Sequence, residues 1–315
     1  MIYLQLLASL GLLLVGGELL VRGAVAIARR LGTSELMIGL TLVGFGTSTP
    51  ELVTSLDAAL VGAPGIAVGN VVGSNIANVL LILGVGALIM PMRTTREAFR
   101  RDGPVLLGAS LLLVGACSLD VVTWPVGATF LALLLAYTWY TYRTERAVAN
   151  AAAAMHAAEA EALGRVPGGL GAALASAIGG LAAVLLGASL LVEAAIQIAR
   201  LWGIGDAVIG LTVVAVGTSL PELATTVVAA LRRQADVAFG NIVGSNIFNI
   251  LGILGATTLV APLAVPASIA GFDVWVMLAA AVVGSGFAMS GWRVNRLEGG
   301  LLLLAYLAYL LLVVG

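Results

Sequence analysis

The stretch GLTLVGFGTSTPEL at 39–52 returns at 210–223 as GLTVVAVGTSLPEL, and GNVVGSNIAN at 69–78 returns at 240–249 as GNIVGSNIFN. Gly46-Thr47-Ser48 matches Gly217-Thr218-Ser219, Pro50-Glu51 matches Pro221-Glu222, and Ser74-Asn75 matches Ser245-Asn246, always 171 residues apart. Two separate motifs that keep one register are an ancient duplication. Whatever fold the chain adopts must therefore be built twice. Each copy also places a glutamate next to a proline inside an apolar run.

Composition says what surrounds those glutamates. The 315 residues are 61% hydrophobic and only 10% charged, with a mean hydropathy of +1.11. A soluble domain carries about 25% charged residues. The chain reads as an integral membrane protein, and its 40 glycines suit helices that pack closely in lipid. A net charge of −1 excludes nucleic acid as a partner. Cys117, the one cysteine, forms no internal disulfide and carries no redox inference. The first apolar run lacks a basic leader and a cleavage site, so it reads as a span.

A spanning helix needs about 20 mostly apolar residues. That rule predicts ten helices, at 2–28, 35–60, 66–90, 104–119, 123–142, 171–199, 206–230, 237–260, 272–290 and 298–314. All 15 basic residues are arginines. Apart from Arg22 inside span one, they follow spans one, three, five, seven and nine, with Arg200 the exception. The positive-inside rule then places those loops in the cytoplasm and both termini outside. The division is 1–142, a cytoplasmic connector at 143–170, and 171–315. His156, in the connector, reads as a solvated surface residue. The 171-residue offset holds five spans, an odd number, so the second copy is inverted. The fold class is thus an all-α membrane protein of ten transmembrane helices in two inverted five-helix repeats, an architecture that binds substrates near the midplane.

Pro50 and Pro221 each remove an N–H and crowd the preceding turn. The helices should open near Gly44–Thr47 and at the matching place in the second copy. Broken backbone is tolerated at membrane depth only in protein or beside a cavity. Each break offers carbonyls, the hydroxyls of Thr47, Ser48, Thr218 and Ser219, and one carboxylate. Two buried carboxylates need positive charge, and no arginine lies in either motif. A proton or a cation could supply it; an all-oxygen cage suits hard Ca²⁺. Ser74 and Asn78, four residues apart, share a helix face, as do Ser245 and Asn249. Asn75 and Asn246 read either as ligands or as hydrogen bonds between helices. Glu18 and Arg22 read as a structural pair, with an Arg22–Glu193 contact as an alternative. Gln197 and Asp57 are left without a role.

These motifs resemble the two alpha repeats of the sodium/calcium exchangers, in the calcium:cation antiporter superfamily, over the whole ten-span layout. The resemblance implies a Ca²⁺ site of Glu51, Glu222 and the carbonyls of Thr47 and Thr218. It implies Na⁺ sites that add Ser48, Ser74, Ser219, Ser245 and the carbonyls of Gly44 and Ala215, with Asn78 and Asn249 at a central position. Some members carry Asp where this chain has Asn249. It also implies that spans one and six slide across the rest. The expected function is secondary antiport of Na⁺ for Ca²⁺ by alternating access, in a prokaryotic plasma membrane. The partners are Ca²⁺, Na⁺ and the bilayer; no cofactor, catalytic residue or protein partner is expected. The rival readings are an H⁺- or K⁺-coupled exchanger, a passive channel and an intramembrane enzyme. The last lacks a nucleophile with a positioned base.

Overall fold

The computed structural model describes residues 2–31, 33–155, 169–201 and 215–314. His156, Arg165 and the stretch 206–214 of the seventh expected span lie outside the described residues. The described chain is mostly helical. Among the described residues, six helices are long and apolar enough to cross a membrane: Ile2–Leu31, Pro64–Ile89, Leu170–Ala194, Ala235–Val260, Ile269–Met289 and Arg296–Val313. The helices at Arg96–Cys117 and Trp124–Met155 match the fourth and fifth expected spans in position. The latter continues past 142 into the expected connector.

The first long helix, α1 (Ile2–Leu31), is followed by α2 (Glu35–Ile38), a π-helical turn at Gly39–Val43, α3 (Gly44–Thr47) and α4 (Thr49–Leu60). Next come α5 (Pro64–Ala77), a π segment at Asn78–Leu83, and α6 (Gly84–Ile89). Then follow α7 (Arg96–Cys117) and α8 (Trp124–Met155). The second half repeats the order with α9 (Leu170–Leu201), α10 (Ala215–Thr218), α11 (Leu220–Leu231) and α12 (Ala235–Ile247). A π segment at Phe248–Leu254 leads to α13 (Gly255–Val260). A π turn at Ile269–Asp273 leads to α14 (Val274–Met289), and α15 (Arg296–Val314) ends the chain.

Local chemistry sets several of these boundaries. Pro64 opens α5 in the first turn, where a missing N–H is harmless. The Thr95 hydroxyl caps α7 by accepting from Ala98 N at 3.1 Å. A capping box opens α15: Asn295 Oδ1 accepts from Glu298 N at 3.0 Å, and Glu298 Oε2 accepts from Asn295 N at 2.7 Å.

Helices α1 and α9 lie against each other, backbone on backbone. A Cβ on Gly16 would sit 2.8 Å from Val184 N, and one on Gly23 would sit 2.5 Å from Ala177 N. A Cβ on Gly180 would meet Leu20 N at 2.3 Å, and one on Gly187 would meet Leu13 N at 3.0 Å. Contacts that advance along α1 while retreating along α9 define an antiparallel pair. Small residues permit this approach.

Four two-residue strands add a detail that an all-helical expectation does not include. Strand β1 (Met92–Arg93) pairs antiparallel with β4 (Arg293–Val294), and β2 (Val121–Val122) pairs antiparallel with β3 (Leu263–Ala264). Each pair joins one strand from each half of the chain. The most deeply buried elements are α5 with its π segment and α12 with its π segment, which carry the second repeated motif.

Candidate functional site

The break in each GTS-x-PEL motif falls on the serine. Ser48 has φ −80° and ψ 12°, and Ser219 has φ −89° and ψ 7°. The expected opening at Gly44–Thr47 is corrected by one residue: Gly44–Thr47 is itself the short helix α3, and the chain turns at Ser48. The physical reason is the proline. Pro50 and Pro221 are housed in the first turn of a new helix, where their missing N–H breaks no bond. The Gly46 carbonyl instead accepts the Thr49 hydroxyl at 2.7 Å.

This restart puts Glu51 in the first turn of α4 and Glu222 in the first turn of α11. A helix N-terminus carries a partial positive charge and favours a carboxylate there. Glu51 is 1% exposed and Glu222 is 0% exposed. Neither faces lipid.

The two motifs grip each other crosswise. Ser48 donates to Glu222 Oε1 at 2.8 Å, and Ser219 donates to Glu51 Oε1 at 3.4 Å. Each carboxylate is thus held by the serine of the other copy. A second matching pair supports the glutamate backbones. Asn70 Nδ2 donates to the Glu51 carbonyl and to Ser55 Oγ, both at 2.9 Å. Asn241 Nδ2 donates to the Glu222 carbonyl at 3.3 Å and to Thr226 Oγ1 at 3.1 Å. These asparagines and their hydroxyl partners belong to the site, although the sequence reading did not select them. Their signal was present: Asn70 and Asn241 stand in the same repeat register.

One oxygen of each carboxylate remains without a hydrogen bond. Among the described residues, the buried atoms without a partner include Glu51 Oε2, Glu222 Oε2 and both amide atoms of Asn78 and Asn249. Asn78 begins the first π segment, and Asn249 lies in the second. Such bulges concentrate at functional sites. A buried acceptor left unpaired costs about 1–3 kcal/mol, and more when charged. One such oxygen from each of Glu51, Glu222, Asn78 and Asn249 is of the hard chemistry that suits a hard cation.

Around this centre, Gly44 O accepts Ser245 Oγ at 3.1 Å and Thr47 Oγ1 at 3.3 Å. Thr47 Oγ1 also lies 3.2 Å from Asn241 Oδ1, to which it can donate. The backbone of Ala215 opens α10, which ends at Thr218 beside the second break. Ser74 and Thr218 line a cavity of about 330 Å³ with Asn70, Asp273 and Tyr309. It follows one face of α5 from Ile66 to Ala77, about 16 Å at 1.5 Å per residue.

Other polar residues separate from this site. Asn75 Nδ2 donates to Val71 O of its own helix at 2.7 Å, the structural role. Asn246 instead keeps both amide atoms unpartnered. Glu18 pairs with Arg22, and Arg232 joins them with Nη2 2.5 Å from Glu18 Oε1. The alternative Arg22–Glu193 contact is not formed: Glu193 accepts from Gln5 at 3.1 Å. Arg101 forks onto Asp102 at 2.7 and 2.8 Å, and Tyr137 donates to Asp102 at 3.0 Å.

Fold and site together define a helical membrane protein built round a duplicated oxygen site. The chain belongs to the sodium/calcium exchanger protein family, which it matches over residues 1–143 and 172–315. It is 38% identical to the sodium/calcium exchanger MaX1 of Methanosarcina acetivorans, over 98% of this chain and 97% of that protein. It is 35% identical to the inner membrane protein YrbG of Escherichia coli, over 91% of this chain and 88% of that protein. Its fold is similar to the solved structure of the sodium-calcium exchanger NCX_Mj soaked with Na⁺ and Ca²⁺. That match has a TM-score of 0.81 at 32% identity, over 96% of this chain and 95% of that one. The protein is a membrane antiporter of cations, with calcium among them.

Proposed function

We propose that this protein exchanges Na⁺ for Ca²⁺ across a prokaryotic inner membrane by alternating access, binding both ions between two inverted five-helix repeats. The observation that carries the reading is the pair of unpartnered carboxylate oxygens, Glu51 Oε2 and Glu222 Oε2, held in place by serines exchanged between the copies. An isolated charge at the bilayer centre costs about 2.5–3.5 kcal/mol on insertion scales. A bound cation offsets that for both glutamates at once. Two carboxylates balance one Ca²⁺ or two Na⁺, so the same oxygens serve either ion and cannot serve both fully. That competition is what couples the two fluxes.

The residues take these roles. Glu51 and Glu222 hold Ca²⁺ with the carbonyls of Thr47 and Thr218. Na⁺ occupies flanking positions lined by Gly44, Thr47, Ser48 and Ser245 on one side. On the other it is lined by Ala215, Thr218, Ser219 and Ser74. Asn78 and Asn249 line the middle. Two charged ligands are few for a Ca²⁺ site, whose affinity follows ligand charge and rigidity. Transport needs that restraint, because an ion must also leave. Inversion of the second copy is supported by the antiparallel α1–α9 pair and by the crosswise strand pairs. The repeated length of ten helices, the arginine-rich loops inside and the termini outside complete the arrangement. The cavity beside Ser74 and Thr218 supplies a path to one flank.

Ca²⁺ uptake into proteoliposomes loaded with Na⁺, K⁺ or acid tests this. Uptake driven by an outward Na⁺ gradient alone is the expected result. Uptake driven only by a K⁺ or pH gradient would replace the coupling ion, and a gradient-independent leak would replace the antiporter with a channel.

A further inference from the structure

The basic end of α1 holds a second feature that ion exchange does not use. A cavity of about 400 Å³ is lined by Val21, Arg22, Val25, Ala26 and Arg29 of α1 and by Arg232 and Gln234 after α11. Three of its seven lining residues are arginines. Among the described residues, Glu18 pairs with Arg22 and Arg232. The arginine side chains stay accessible: Arg22 is 64% exposed and Arg232 is 50% exposed. The other wall is apolar.

The duplication provides an internal control. The turn after α4 reads Val61-Gly62-Ala63, and the matching turn after α11 reads Arg232-Arg233-Gln234. The two turns make the same bonds. Gly62 N donates to Ala59 O at 3.2 Å and Arg233 N to Ala230 O at 3.0 Å; Ala63 N donates to Ala58 O at 2.8 Å and Gln234 N to Ala229 O at 2.9 Å. Gly62 has φ +75° and Arg233 has φ +60°. A glycine adopts that conformation freely, whereas a side chain strains in it. Sidedness in the membrane asks only for basic residues somewhere in the loop. It does not ask for arginines from two helices around one hollow.

We propose that this cavity binds the phosphate of an anionic membrane phospholipid headgroup, which bridges α1 to the α11–α12 turn. Arginine recognises phosphate through paired N–H donors. Basic pockets between membrane helices take such headgroups. Val21, Val25 and Ala26 suit the glycerol and first methylenes. The apolar residues beside the arginines select a lipid over a soluble anion. Glu18 competes with the phosphate for the same guanidinium groups. The inference is independent of which ions the central site carries.

The test uses the full chain purified in detergent, titrated with phosphatidylglycerol, phosphatidylcholine or inorganic phosphate. Melting temperature and lipid retained per protein are read against each variant's own lipid-free baseline. Phosphatidylglycerol raises the melting temperature by about 5 °C, as ligand linkage requires; the other two additives do not. Arg22→Gln with Arg232→Gln weakens the apparent lipid affinity about tenfold, whereas Arg96→Gln with Arg100→Gln leaves it as in the wild type. Glu18→Gln, which removes the competitor, tightens it about threefold. The last variant decides the matter if the double arginine variant does not fold, because a purely structural salt bridge predicts no gain in lipid binding. Equal stabilisation by phosphatidylcholine, or an unchanged titration in the variants, overturns the site. Equal stabilisation by inorganic phosphate overturns the lipid as its source.

Discussion

The two copies of the repeat agree at the centre and diverge around it. At the centre, Ser48–Glu222 mirrors Ser219–Glu51, and the bonds of Asn70 mirror those of Asn241. One shell out, the match fails. Asn75 folds onto its own helix, but its counterpart Asn246 lines a cavity of about 20 Å³ with Ser285. The residues matching Gly284 and Ser285 in the first copy are Leu113 and Val114, which have bulk where the second copy leaves room. Thr49 bonds Gly46 O, where the second copy has Leu220. Neutral Val61-Gly62 becomes Arg232-Arg233. On the proposed function, a site shared by both halves keeps both halves alike, because one ion would need the same ligand chemistry from each side. Beyond its reach, each copy meets different neighbours.

A glycine substitution carries the largest expected effect. A Cβ on Gly244 would run into the Leu40 carbonyl oxygen. Gly244→Ala must push backbone apart and should lose about 3 kcal/mol or the folded protein outright. Melting curves check this, and a wild-type midpoint would dismiss the close approach.

The next effect lies in the asparagines. Asn70 and Asn241 each donate two bonds, one to a glutamate carbonyl and one to a hydroxyl. Asn70→Ala and Asn241→Ala should therefore each cost about 2 kcal/mol. Denaturation in matched detergent reads the losses. Among the serines, the Ser48 bond at 2.8 Å is much shorter than the Ser219 bond at 3.4 Å. Ser48→Ala should weaken Ca²⁺ binding about tenfold and Ser219→Ala about threefold, since bonds to charged groups contribute about 1.5–3 kcal/mol when short. A larger loss from Ser219→Ala would reverse the assignment. Smallest is Thr49→Val, which removes one neutral bond worth about 1 kcal/mol that the second copy lacks. Transport within about twofold of the wild type is expected.

The legible part of the site was whatever the repeat duplicated. Pro50 and Pro221 announced a broken helix, Glu51 and Glu222 announced buried charge, and a constant register joined them to Asn78 and Asn249. Sequence could not place the break on Ser48, because that depends on whether a proline sits inside a helix or opens a new one. It could not foresee that Asn70 and Asn241 hold the glutamate backbones, since those bonds cross between helices. Arg232 was likewise invisible as a partner of Glu18, 214 residues away. The π segments at Asn78–Leu83 and Phe248–Leu254 were also not legible, because apolar periodicity does not separate them from α-helix.

The central claim is that Glu51 and Glu222 hold one cation jointly. Equilibrium ⁴⁵Ca²⁺ binding to Glu51→Gln, Glu222→Gln and the double variant tests it most directly. Each single variant should lose about 100-fold in affinity, corresponding to about 3 kcal/mol for removing one buried charge partner. The double variant should fare little worse, because residues acting as a unit are not additive. Two small losses that simply add in the double variant would mean separate sites, and would contradict the shared cage.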